Sequence, residues 1–153
     1  MKFPLGLLVL GLLASSLSAQ TALPASSPEI AVVRQQLEAF NRHSADEVVA
    51  CYAENIIWRS IDGDTVSTEG AGRESIRSWL KGYFQKLTTV NSELLEVNQT
   101  GPLVVFRERA RWTGKDGQPR SQTAIGIFEV RDGLVQRAWY FSAVPDRPPA
   151  KST

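Results

Sequence analysis

The stretch FNRHSADEVVACYAENIIWRS, residues 40–60, contains the strongest local signals of secondary structure in this chain. Ser44 and Glu47 stand three residues apart, which is the spacing of a capping box at the start of a helix. The apolar residues that follow repeat with the helical period and predict a short amphipathic helix; they are Ala45, Val48, Val49 and Tyr52. The run Ile56-Ile57-Trp58 is rich in β-forming residues and predicts a strand. The stretch therefore predicts the end of one helix near Phe40, a second short helix, and the first strand of a sheet.

Residues 1–19 have the pattern of a secretory signal peptide. Lys2 precedes a short apolar run over residues 5–13, and small residues lead to a cleavage position after Ala19. The apolar run is shorter than the roughly 20 residues that a membrane-spanning helix needs. We therefore predict an exported protein, periplasmic or secreted, that has no membrane association once residues 1–19 are removed.

The composition argues against several classes of protein. The 153 residues include 17 basic and 16 acidic side chains, and this balance argues against a nucleic-acid partner, which demands a basic surface. Cys51 is the only cysteine, so we predict a small buried residue rather than half of an internal disulfide. His43 is the only histidine and is predicted to lie in a solvated turn. The scattered acidic residues give no metal-ligand spacing, so neither a metal nor another cofactor is predicted.

The boundaries of the domain follow from local signals. Residues 20–27 are small and polar and predict a linker. Ser27-Pro28-Glu29 is a typical helix start, so the single domain is predicted to begin at residue 28 and to end at residue 144. Residues 145–153 contain three of the prolines and predict a flexible tail.

The second half of the domain is predicted to be mostly strand. One long helix precedes it, and its apolar face includes Trp79 and Phe84, which are both predicted to be core residues. Four strands follow, predicted at residues 90–98, 103–112, 118–130 and 134–142. Helices first and antiparallel strands afterwards predict an α+β fold, with the helices packed on one face of a curved sheet.

This order of helices and strands resembles the nuclear transport factor 2-like superfamily, and within it the SnoaL-like and ketosteroid-isomerase-like branch. The residues that carry the resemblance are Phe40-Asn41, Tyr52-Ala53-Glu54-Asn55, Gly72-Arg73-Glu74-Ser75-Ile76 and Trp139-Tyr140-Phe141. The resemblance implies a cone-shaped fold, in which a curved, mainly antiparallel sheet wraps around the helices and leaves a pocket at its open end. Motifs of this kind identify a fold better than they identify a function.

Alternation along the strands predicts which side chains face the pocket, because successive residues of a strand point to opposite faces. With the first helix included, the predicted lining is Gln36, Phe40, Trp58, Ser60, Phe106, Glu108, Trp112, Gln122, Arg137, Trp139 and Phe141. These residues are mostly apolar and rich in tryptophan, which is typical of a site for a small molecule. The predicted ligand is therefore a small apolar or aromatic molecule.

Glu108 and Arg137 are the charged residues predicted inside the pocket, and we expect them to pair with each other, since buried charges need partners. An alternative hypothesis makes Glu108 the acid-base catalyst of a SnoaL-like isomerase, cyclase or lyase. Ketosteroid isomerases place their aspartate base, tyrosine and protonated aspartate at positions that the resemblance assigns here to Ser60, Gln36 and Gly126. Because none of these residues can perform those roles, isomerase chemistry of that type is not predicted.

The outer face of the sheet is predicted to carry Val105, Arg107, Arg109, Arg111, Ile125, Ile127, Ala138 and Tyr140. The arginines are expected to pair with Glu93, Glu129 and neighbouring acids. Since the face mixes apolar and charged side chains, and since the resemblance implies a two-fold assembly, we predict a homodimer through it. Three hypotheses of function stay open: a small-molecule binding protein, an enzyme that uses Glu108, and a non-catalytic dimeric interaction module whose own side chains fill the pocket.

Overall fold

The computed structural model of the protein describes residues 26–146. The predicted signal peptide, most of the predicted linker and the end of the predicted tail lie outside the described residues. In chain order the elements are α1 (Pro28–Asn41), α2 (Ala45–Ala50), β1 (Tyr52–Asp62), β2 (Thr65–Ala71), α3 (Arg73–Lys86), β3 (Asn91–Thr100), β4 (Leu103–Thr113), β5 (Pro119–Arg131), β6 (Leu134–Phe141) and β7 (Val144–Pro145). The predicted α+β class is confirmed. None of the helices in the described part is long and apolar enough to cross a membrane.

Serine side chains cap the first two helices. The Ser27 hydroxyl accepts a hydrogen bond from the amide of Ile30 at 3.1 Å, and the Ser44 hydroxyl accepts one from the amide of Glu47 at 3.3 Å. The Glu47 carboxylate pairs with a neighbouring arginine rather than turning back to Ser44, so only half of the predicted capping box forms. Tyr52, which was predicted on the short helix, is instead the fully buried first residue of β1, because α2 ends at Ala50.

The strands form one sheet in the order β2-β1-β6-β5-β4-β3. β1 and β6 are parallel, and the other neighbouring strands are antiparallel. β7 pairs with β5 beyond the end of β6, and it brings Asp146 into contact with Ser121, Thr123 and Arg109. Paired strand structure therefore extends past residue 144 and includes the first residues of the predicted tail.

A β-bulge in β6 interrupts the alternation of that strand. Val130 of β5 lies opposite Val135, but the preceding residue of β5, Glu129, lies opposite Arg137. Gln136 is therefore an extra residue with no partner of its own on β5. An extra residue of this kind moves every later side chain of the strand to the opposite face of the sheet.

Because of the bulge, Arg137 to Tyr140 lie on the faces of the sheet opposite to those predicted. Ala138 is fully buried and Tyr140 packs against the core, so both residues face the helices and not the outside. Arg137 and Trp139 lie on the outer face instead of in the pocket. Phe141, at the end of the strand, is 40% exposed and reaches the rim of the cavity described below.

The hydrophobic core lies between the three helices and the concave face of the sheet. From α3 it receives Ile76, Leu80 and Phe84, so the prediction that Phe84 is a core residue is confirmed. Cys51 is also buried, as predicted. Trp79 is 49% exposed, and its assignment to the core is wrong. The apolar stripe of α3 is wider than the core that it covers, and Trp79 stands on its open side.

Asn41 at the end of α1 and His43 in the following turn fasten this part of the chain to the sheet. The Asn41 amide nitrogen donates to the carbonyl oxygen of Ser92 at 2.8 Å, and the Ser92 amide donates to Asn41 Oδ1 at 2.7 Å. The His43 ring stacks on Phe84 with a centroid distance of 4.8 Å, and its Nε2 lies 2.7 Å from the carbonyl oxygen of Val90. His43 is therefore a packed structural residue and not the solvated side chain that was predicted.

The arginine row of β4 forms ion pairs along the outer face of the sheet. Arg107 pairs with Glu96 at 2.7 Å, and Arg111 and Arg109 both contact Glu93, at 2.6 Å and 3.6 Å. This confirms the predicted pairing with Glu93, whereas the predicted pairing with Glu129 is wrong, because Glu129 pairs with Arg131 and Arg137. The charges of this face are therefore largely balanced by neighbouring strands.

Candidate functional site

A cavity of about 260 Å³ lies between α1, α3 and the concave face of the sheet. Its lining is mainly apolar and aromatic, with a few polar groups, which is the usual composition of a small-molecule site. The predicted pocket residues that line it are Gln36, Phe40, Trp58, Glu108, Gln122 and Phe141. These residues come from α1, β1, β4, β5 and β6, so the cavity exists only in the folded chain.

Ser60, Phe106, Trp112 and Trp139 lie outside this lining, contrary to prediction. The Ser60 hydroxyl donates a hydrogen bond to Glu69 on the neighbouring strand. Phe106 is buried in the core, where its ring covers Gly126 so closely that an added Cβ would stand 2.4 Å from it. Trp112 packs against the core near the end of β4 and lines a separate depression. Trp139 lies on the outer face because of the bulge.

Arg137 does not pair with Glu108. Its guanidinium lies 2.7 Å from the carboxylate of Glu129 on the outer face, and its side chain is 51% exposed. Arg131 contacts the same carboxylate at 2.7 Å. Hydrogen bonds from Arg131 and then Arg137 hold the pKa of the Glu129 carboxyl below its usual range. The expected pair inside the cone is therefore wrong, and the reason is again the extra residue in β6.

Sequence reasoning missed several lining residues, of which Trp79, Tyr83, Ser92 and Tyr140 matter most. Tyr140 was assigned to the wrong face by strict alternation. Trp79 and Tyr83 belong to the same apolar stripe of α3 as the core residues, and the unusual width of that stripe was the available signal. Ser92 is held in place by its two hydrogen bonds with Asn41, which no local pattern indicates.

Glu108 is the only charged residue that lines the cavity within the described part of the chain. Tyr140 Oη donates a hydrogen bond to Glu108 Oε2 at 3.1 Å. The surrounding protein atoms remove water from the carboxyl group, and this burial raises its pKa, while Ser92 and Tyr140 act in the opposite direction. Within residues 26–146, no lysine, arginine or histidine forms an ion pair with Glu108. A carboxyl group in this environment holds its proton to a higher pH than an exposed one does.

Tyrosines surround Glu108 on several sides. Burial raises the pKa of the Tyr140 hydroxyl well above its ordinary value, and the negative charge of Glu108 raises it further. Burial followed by Glu108 raises the pKa of Tyr83 in the same way. Tyr52, behind the cavity, is fully buried and its pKa is also raised, mainly by desolvation. These hydroxyl groups stay neutral at physiological pH and can act as hydrogen-bond donors.

A continuous chain of rings, called here the aromatic wall, runs along one side of the cavity. Trp58 stacks on Tyr140 with a centroid distance of 5.2 Å and contacts Trp79 at 5.5 Å. Trp79 stacks on Tyr83 at 5.0 Å, and Tyr83 lies 6.0 Å from Phe40. Each ring is held by the next, so the wall has a defined shape and a π surface on which a ligand can pack.

A smaller cavity of about 80 Å³ adjoins the first one behind Trp58 and Trp79. Its lining also includes Glu69, Gly70 and Ile76. The two tryptophans are therefore shared by both cavities. No cluster of histidine, cysteine or acidic residues that could hold a metal ion occurs within residues 26–146.

Comparison with known proteins gives a family and a fold. The family model described as a SnoaL-like domain matches residues 33–138. A search of curated proteins found no match.

The solved structures agree with the architecture described above. An uncharacterised cystatin-fold protein from Novosphingobium aromaticivorans has a TM-score of 0.65 at 17% identity, covering 77% of this chain and 100% of that chain. TerC, co-crystallised with polyporic acid, has a TM-score of 0.65 at 18% identity, covering 78% and 92%. A protein from Jannaschia sp. CCS1 described as a SnoaL-like polyketide cyclase has a TM-score of 0.62 at 17% identity, covering 80% and 90%. At these identities the likeness shows the fold.

Proposed function

Because this chain belongs to the SnoaL-like domain family, we propose that it binds a small apolar or aromatic molecule in the cavity between α1 and α3. The observation that carries the proposal is the hydrogen-bonded pair of Glu108 and Tyr140 in an open cavity with an aromatic wall. The wall supplies apolar contact area, and the polar pair orients one polar group of the ligand. The same open cavity argues against a module whose pocket is filled by its own side chains.

A second candidate function is proton transfer by Glu108, as an isomerase, cyclase or lyase would require. What favours it is the lack of a cationic partner for Glu108 within residues 26–146 together with its raised pKa. A carboxyl group works best as a general acid or base when its pKa lies close to the working pH. Tyr140, which stays neutral, can donate a hydrogen bond to an oxygen on which negative charge develops.

Ligand binding in the cavity and proton transfer by Glu108 can both be tested with 2-tetralone, a neutral bicyclic ketone with acidic CH2 groups. In D2O, saturation-transfer NMR measures its binding, and loss of the CH2 signals measures deuterium exchange. We expect the unaltered protein to bind the ketone and to accelerate the exchange. Glu108→Gln should still bind it but should lose about 100-fold or more of the acceleration, which is the usual contribution of a general acid-base group.

A substitution that fills the cavity provides the control. Ala124 lines the cavity, so Ala124→Leu should abolish binding, whereas Ala71→Leu on the exposed edge strand β2 should leave it unchanged. Binding without exchange would retain the binding proposal and remove the second candidate. Equal binding by both leucine variants would contradict the placement of the ligand.

We further propose that two chains associate through the outer face of the sheet. Val105, Ile127 and Trp139 lie side by side on β4, β5 and β6, and Ile125, which is 47% exposed, stands beside Arg107. Apolar side chains framed by charged ones are typical of an interface that forms between soluble proteins. Tyr140, which was predicted on this face, belongs to the interior and takes no part.

Ile125→Glu should convert the dimer into monomers, because the charge would be buried in the proposed interface. Light scattering at micromolar concentration measures the change in mass. Val66→Glu is the matched control, since Val66 is an exposed apolar residue on β2, away from this patch. A monomeric unaltered protein at that concentration would refute the proposal.

The pattern of residues 1–19 leads us to propose export, in a periplasmic or secreted location. N-terminal sequencing of the exported chain should begin near Gln20. A chain that is recovered from the cytoplasm with Met1 intact would contradict the proposal.

A further inference from the structure

Among residues 26–146, the two cavities are lined by acidic side chains and by no basic ones. Within residues 26–146, Glu108 is the only charged residue that lines the main cavity, and Glu69 is the only one that lines the smaller cavity behind the two tryptophans. The arginines nearest in sequence to Glu108, Arg107 and Arg109, point to the outer face, where they pair with acids. The sheet therefore separates the cavity from these positive charges.

Two features of this lining, its aromatic rings and its buried carboxyl group, favour a cation. Rings of the aromatic wall line the cavity, and a cation is attracted to the face of tryptophan or tyrosine. A carboxylate withdrawn from water is costly unless it is paired with a positive charge. Glu108 lacks such a partner among the described residues, so an incoming cation would supply the pairing that the folded chain leaves open.

We propose that the ligand of this cavity is a small hydrophobic cation, such as a protonated or quaternary amine, with ionised Glu108 as its counter-ion and the aromatic wall around its alkyl groups. This inference rests on the proposed function, since it assumes that the cavity binds a small molecule. It narrows the class of ligand from apolar molecules in general to those that carry one positive charge.

The proposal predicts how binding depends on pH. The groups that face Glu108 from the packed elements are Gln36 (α1), Tyr52 (β1), Tyr83 (α3), Ser92 (β3), Gln122 (β5) and Tyr140 (β6). The tyrosines have raised pKa values and stay neutral, and the other groups do not titrate. Glu108 is therefore the group whose ionisation controls the charge of the cavity. Affinity for a quaternary cation should rise as the pH rises through the pKa of Glu108, and binding should release a proton below that pKa.

The experiment compares two probes of the same shape, phenyltrimethylammonium and tert-butylbenzene, which differ in charge. Their dissociation constants are measured with the full chain by quenching of tryptophan fluorescence, at several pH values. We expect the cation to bind about tenfold or more tightly than the hydrocarbon above neutral pH, which corresponds to roughly 1.4 kcal/mol. The preference should disappear in Glu108→Gln, and it should persist in Glu96→Gln, which removes a carboxylate from the outer face.

The outcomes separate this inference from the proposed function. If tert-butylbenzene or 2-tetralone binds in the cavity as tightly as the cation does, the cavity binds small molecules but the inference is wrong. If the preference for the cation survives in Glu108→Gln, or does not change with pH in the unaltered protein, the role of Glu108 as counter-ion is wrong. If none of the probes binds, the proposed function fails and the inference fails with it. The pH series with the unaltered protein does not depend on the folding of any variant.

Discussion

Phe84→Ala should lower the free energy of unfolding by about 3–5 kcal/mol, the usual cost of removing a buried aromatic side chain. Phe84 is 8% exposed and packs edge-on against Phe40 at 5.1 Å, while His43 stacks on its other side at 4.8 Å. The substitution would leave a cavity at the junction of α3, α1 and the following turn. A loss of this size is a large part of the roughly 5–15 kcal/mol that stabilises a domain.

Trp79→Ala is the matched control for this prediction. Trp79 lies on the same helix and is a larger residue, but it is 49% exposed, so its removal should cost no more than about 1 kcal/mol. Chemical denaturation of the two variants measures the difference. Equal losses of unfolding free energy in the two variants would mean that Trp79 is a core residue and does not line an open cavity.

Glu108→Gln should stabilise the protein at neutral pH, by an amount on the order of 1 kcal/mol. Burial raises the pKa of Glu108 in the folded state above its value in the unfolded chain. The stability that this group contributes is therefore fully present below the unfolded pKa of about 4.3 and is lost as the pH rises through the folded pKa. Glutamine has no such titration, so the gain in stability of the variant should be small near about pH 4 and should grow toward about pH 8.

Thermal melts over this range measure the effect, and about 1 kcal/mol shifts the Tm of a domain of this size by roughly 2–8 °C. Glu96→Gln serves as the control, because Glu96 is exposed and forms a surface ion pair with Arg107, so its loss should change little. Arg137→Met should add to Glu108→Gln without coupling, since Arg137 pairs with Glu129. A destabilised Glu108→Gln at neutral pH would show that the hydrogen bond from Tyr140 outweighs the cost of burial.

Much of the fold is a local property of the sequence. Ser27 and Ser44 begin their helices because a serine hydroxyl can satisfy a free amide of the first turn, and this requires only neighbouring residues. The interior positions of β4 and β5 follow the simple alternation of a strand, which is why Glu108 and Gln122 were correctly placed toward the helices. The wide aromatic stripe of α3 likewise predicts a large apolar contact on that side.

The remaining features of the site depend on contacts between distant parts of the chain. Gln136 is extra only because β6 pairs with β5 on one side and with β1 on the other, and no glycine or proline in β6 marks the bulge. That single residue sends Arg137 outward to Glu129 and brings Tyr140 inward to Glu108, so it decides whether Glu108 has a positive partner. Sequence alone determined the three helices, the strands β1 and β3 to β6 apart from their exact ends, and the location of the carboxylate. Tertiary structure decided its environment, because the register between strands is fixed by the packing of the whole sheet and not by the residues of one strand.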